Sequence, residues 1–138
     1  MLKYLLKAPD STWAATSPAQ AKAENLKIKY LGTAGFILSD QHRTVVLDPF
    51  ISRPNLWQTF SQPLLSDPVL VKQYIPYADD VLIGHAHYDH ILDAPELCKQ
   101  TGARLIGSQA TLMYGRSAGL SEQQYQAGAS RRVPPLLD

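Results

Sequence analysis

The apolar segment Val81-Leu82-Ile83 runs directly into Gly84-His85-Ala86-His87-Tyr88-Asp89-His90, and this junction restricts the fold more than any other stretch. It gathers three of the four histidines and one of the twelve acidic residues into six consecutive positions. In an extended backbone, side chains two apart share a face, so His85 and His87 can converge, and Asp89 has the same parity. His90 points the other way unless the chain turns. Asp93-Ala94-Pro95-Glu96 reads as a helix start, which places a turn close to His90. The expected structure is a tight strand-to-helix corner that presents His85, His87, Asp89 and His90.

Imidazole and carboxylate donors together suit zinc, with manganese or ferrous iron as alternatives. Such a corner could serve two adjacent cations, one through His85 and His87, the other through Asp89 and His90. Two ions of this kind can hold a hydroxide between them and polarise an ester, lactone, amide or phosphoryl oxygen. Zinc-bound water has a pKa of about 7, so hydrolysis at neutral pH needs no separate strong base. The plain alternative, four polar residues on a solvated turn, fits the spacing and the flanks less well.

The rest of the composition narrows the classes. At 138 residues the chain fits one small domain with a genuine core. Thirteen basic against twelve acidic residues leave +1, which gives no sign of a nucleic-acid or anionic-membrane partner. No run approaches the ~20 apolar residues of a membrane span. The start Met1-Leu2-Lys3-Tyr4-Leu5-Leu6-Lys7 is broken by Lys7 and Asp10 before it becomes a signal peptide. With the single cysteine, Cys98, this leads to the expectation of a cytoplasmic protein without disulfides.

Residues 1–25 read as an N-terminal arm, 26–122 as the folded unit and 123–138 as a poorly ordered tail. Leu26 to Leu31 alternate as a half-buried strand, and Gly32-Thr33-Ala34-Gly35 bends into Phe36-Ile37-Leu38. A polar turn comes next, and then Thr44-Val45-Val46-Leu47, which completes an antiparallel meander ending at Asp48-Pro49. Asp67-Pro68 opens a helix over Val69–Ile75, closed by Pro76. After the Val81–Ile83 strand come a helix from about Ala94 to Gly102, a strand at Arg104–Gly107 and a helix from about Gln109 to Arg116. Strands alternating with helices predict parallel pairing, hence an α/β fold with a mixed sheet. His42 is expected at the surface and Cys98 in the core. Trp57 and Phe60 could line a lid over the site, but read rather as satellite core. Arg131-Arg132 reads as a solvated pair.

His85-Ala86-His87-Tyr88-Asp89-His90 matches the H-x-H-x-D-H signature of the metallo-β-lactamase superfamily, and the chain resembles that family over about residues 26 to 120. Leu47-Asp48-Pro49 lies where the family places a strand-end aspartate, and Tyr30 to Phe36 resembles its opening hairpin. The details are most similar to the branch of ascorbate-phosphate-lactonase-like and N-acyl-phosphatidylethanolamine phospholipase D-like hydrolases. The resemblance implies half of an αβ/βα sandwich, with helices on one face of the sheet. It implies His85 and His87 on a first metal and Asp89 and His90 on a second, zinc being expected, with one or two ions. Asp89 would also orient the attacking water, and Asp48 would support the ligands from behind. The implied substrate is a small molecule or a lipid or other phosphoester.

The family brings further ligands from its second half, whereas no histidine comes after His90 here and the only later aspartates are Asp93 and Asp138. The expectation is therefore an N-terminal half, cut short or read out of frame near its end. The alternative to a hydrolase is a non-catalytic fragment that binds metal at most. Either would expose the sheet face meant for the missing half, so self-association through that face is expected.

Overall fold

The alternation and the turn residues of the first half produce the expected meander. In the computed structural model, which describes residues 26–127, β1 (Lys27–Gly32), β2 (Gly35–Ser39) and β3 (Thr44–Leu47) pair antiparallel. The arm at 1–25 and the Arg131-Arg132 pair fall outside the described residues. Asp40 closes the second turn by accepting from the His42 and Arg43 N–H groups, both at 2.7 Å. These donors, His42 first, hold the Asp40 carboxyl below its usual range. His42 itself is exposed.

The second half adds three parallel strands, β4 (Asp80–Leu82), β5 (Arg104–Gly107) and β6 (Tyr125–Ala127), and the sheet order is the chain order, β1 to β6. Among the described residues five α-helices accompany it: α1 (Leu56–Ser61), α2 (Pro68–Tyr74), α3 (Tyr88–Ile91), α4 (Ala94–Thr101) and α5 (Gln109–Ser117). Asp67 caps α2 by accepting from the Val69 and Leu70 N–H groups, and Gly102, left-handed at φ 77°, ends α4.

Register decides which face is core. Val46, Val81 and Leu105 lie side by side across β3, β4 and β5, and each is 0% exposed. Val71 and Ile75 of the α2 region, Ile91 of α3, and Ala94, Leu97 and Cys98 of α4 join them in one cluster. The opposite parity gives a second row: Tyr30, Phe36, Leu47, Leu82 and Ile106. On this face Ile28, Tyr30, Phe36 and Leu82 are exposed. The strand expected to be half-buried, β1, thus turns its apolar side to an open face rather than into the core. At one end of the sheet buried Asp80 is held by Arg43 (2.5 Å) and Arg104 (2.7 Å), which compensates its charge.

Two expectations are corrected, and one helix is added. Residues 123–127 are not a loose tail: they follow on from a 3-10 turn, Glu122–Gln124, into β6, while 128–138 fall outside the described residues. Long-range bonds order it: the Gln124 amide donates to the Cys98 and Ala103 carbonyls, and the Tyr125 hydroxyl donates to that of Leu120. Segment 56–61 is a helix, opened by a reciprocal cap between Asn55 and Gln58. Trp57 and Phe60 on that helix are 79% and 85% exposed, not satellite core. Among the described residues no helix is long and apolar enough to cross a membrane.

Candidate metal centre

The corner forms at the C-terminal edge of the sheet, where β3 and β4 end side by side. After β4 the chain runs on to His87, whose φ of −89° and ψ of 157° set it as the cap of α3. His85 and His87 share a side: their rings are 3.9 Å apart, and His85 Nε2 lies 2.8 Å from His87 Nδ1. The first turn of α3 then breaks the strand parity and swings His90 round until its ring centroid is 5.6 Å from that of His85. Asp89 Oδ2 lies 3.7 Å from His90 Nε2.

Asp48 closes the corner from behind. It leaves β3 in the left-handed region, at φ 41°, a conformation that aspartate tolerates better than most residues. Its Oδ1 accepts the Gly84 N–H at 2.8 Å. A Cβ at Gly84 would meet Asp48 Oδ2 at 3.3 Å, a tight contact that glycine avoids. The same Oδ2 lies 3.1 Å from His90 Nδ1. That nitrogen is buried and has no hydrogen-bond partner, so the contact is one of proximity rather than a formed bond.

The donors fit a divalent metal in kind: three imidazoles, one of them with an orphaned ring nitrogen, and a carboxylate. They stand as two pairs, His85 with His87 and Asp89 with His90. Among the described residues no three such side chains are gathered around one point. Phe50 packs edge-on to Tyr88 with centroids 5.9 Å apart, which forms an aromatic wall beside the corner.

One further residue is visible in the sequence only as a helix start. Asp93 is 0% exposed, and at the head of α4 its carboxylate makes no cap hydrogen bond. It faces the segment after β3 instead.

A mixed sheet with helices on one face and a His/Asp corner at the strand ends defines the class: a metallo-β-lactamase-type fold. Comparison with known proteins agrees. Residues 43–135 match the model of the β-lactamase superfamily domain. The chain belongs to the metallo-β-lactamase superfamily. It is 31% identical to a UPF0173 metal-dependent hydrolase of Staphylothermus marinus, over 80% of this chain and 46% of that one. A counterpart in Heliobacterium modesticaldum is 30% identical, over 79% and 41%. The chain thus spans less than half the length of these two relatives. A metallo hydrolase of Ignicoccus hospitalis shares the fold with a TM-score of 0.52 at 24% identity, over 75% of this chain and 39% of that one.

Proposed function

We propose that this chain carries the metal-binding half of a metal-dependent hydrolase acting on an ester, lactone or phosphodiester of a small molecule or lipid. The observation that carries the reading is the turn of α3, which brings His90 beside His85 with its Nδ1 toward Asp48 and its Nε2 on the side of Asp89. His85 and His87 would hold one ion, and Asp89 and His90 a second, zinc being the best match to these donors. A metal there supplies Lewis-acid polarisation of the scissile oxygen and acidifies a water. Asp89, half-buried at the rim, would help orient the attacking water. Asp48, 3.1 Å from His90 Nδ1, would support that ring from behind, as carboxylates do behind metal-bound imidazoles.

Zinc titration by calorimetry tests this. The wild-type chain is expected to bind zinc, and His87→Ala and His90→Ala to weaken it at least about tenfold. Absence of zinc uptake by the wild-type chain would sink the reading. Manganese and ferrous iron in parallel titrations rank the metals.

A second reading has its own support in the open apolar face and in donors that stand only as pairs. In it the chain binds metal at most, does not turn over substrate, and self-associates through that face. Zinc binding without hydrolysis of a generic phosphodiester or lactone would favour it.

A further inference from the structure

Aspartate is a favoured helix cap, yet at the head of α4 Asp93 spends nothing on its own helix. Its Oδ2 accepts the Ile51 N–H at 2.5 Å and the Ser52 N–H at 2.8 Å. Its Oδ1 accepts the Ser52 hydroxyl at 2.5 Å and the Ser66 hydroxyl at 2.6 Å. The Ser52 hydroxyl in turn accepts the Asp67 N–H at 2.6 Å, which draws in the cap of α2. All these donors are neutral, and Asp93 is 0% exposed. Burying such a group is costly unless its oxygens are satisfied, so four hydrogen bonds converging on one side chain make a fixed joint.

The joint is one half of a reciprocal pair. Asp48, four residues before Ser52, reaches from the segment after β3 onto Gly84 and toward His90. Asp93, three residues after His90, reaches from the end of the motif back onto Ile51 and Ser52. Between the two, Phe50 rests on Tyr88. Two carboxylates pointing in opposite directions thus clasp one segment to the other.

We propose that Asp93 is a positioning residue of the metal centre: by fixing the Ile51–Ser66 segment it sets Asp48 against His90. This rests on the hydrolase reading above, but its test does not depend on it. Asp93→Asn keeps size but replaces one accepting oxygen by a donating NH2, so it can no longer accept from both the backbone N–H pair and the hydroxyl pair, and Ser66→Ala removes a single donor. Three measurements are made on each full chain. They are the ring-nitrogen resonances of His90, amide hydrogen exchange, and zinc titration.

Asp93→Asn is expected to move the His90 resonances and to speed exchange at Ile51, Ser52 and Asp67. The Val46, Val81 and Leu105 amides should keep their rates. Zinc binding should weaken about 10- to 100-fold, the usual range when a group behind a ligand is lost. Ser66→Ala should do the same more weakly, and it decides the matter if Asp93→Asn does not fold. Unmoved His90 resonances, exchange accelerated throughout the sheet, or zinc affinity unchanged from a zinc-binding wild type would each overturn the proposal. If the wild type takes up no zinc while the variants still move His90, the hydrolase reading fails and the positioning role stands.

Discussion

Single side chains set the chemistry of this molecule through where they are forbidden to go. Asp48 approaches the motif without a tight contact because residue 84 has no Cβ, and it can leave β3 at a positive φ because aspartate tolerates that region. Cys98 is the converse case. It is 0% exposed among aliphatic neighbours, and burial pushes its thiol up from 9.0 to about 12. At pH 8 that leaves about a thousandfold less thiolate than an ordinary cysteine. Iodoacetamide should therefore label the native chain negligibly, and labelling should appear only on unfolding. A raised value also fixes the sign for stability. The thiol's contribution is intact below 9.0 and is lost as pH rises toward about 12, so urea midpoints should fall across that window.

At the scale of elements, caps and close approaches decide where helices begin. Asp67 accepts from the Val69 and Leu70 N–H groups at 2.9 and 3.1 Å, and α2 carries Val71, 0% exposed, into the core. Asp67→Ala should cost about 1 kcal/mol in urea unfolding with little change in slope.

Much of this level can be read from the sequence. The meander, the helix opened by Asp67-Pro68 and the alternation of strand and helix after β4 rest on local patterns, and local patterns are what a sequence displays. The corner is legible for the same reason, since its four donors occupy six consecutive positions. The parts that escape depend on distant partners. β6 is held by bonds from Gln124 to Cys98 and Ala103, more than twenty residues away, so nothing in its own composition announces it. Asp93 reads as a helix start because its partners, Ile51, Ser52 and Ser66, are remote in the chain. The helix α1 is the avoidable omission, for Asn55 and Gln58 spell a reciprocal cap. Trp57 and Phe60 mislead because aromatic bulk alone says nothing of which way a short helix faces.

At the scale of the whole molecule, the sheet of the described residues is one-sided. Helices cover the Val46, Val81 and Leu105 row, while Ile28 and Tyr30 stand 63% and 61% exposed on the other side beside Phe36 and Leu82. A contiguous apolar surface on a sheet favours association. Sedimentation should therefore show a concentration-dependent dimer, and Ile28→Lys with Tyr30→Lys on the edge strand should shift it toward monomer without altering the circular dichroism. A wild-type chain that stays monomeric at high concentration would remove the basis for self-association.

Neighbours in this sheet are also neighbours along the polypeptide, from β1 to β6 without exception. Each strand after β1 consequently pairs with the one that precedes it in the chain, so the sheet can be assembled in chain order. The β1–β3 meander pairs locally and can form first, whereas each parallel joint from β3 to β6 must close a crossover before its strand is added and forms more slowly.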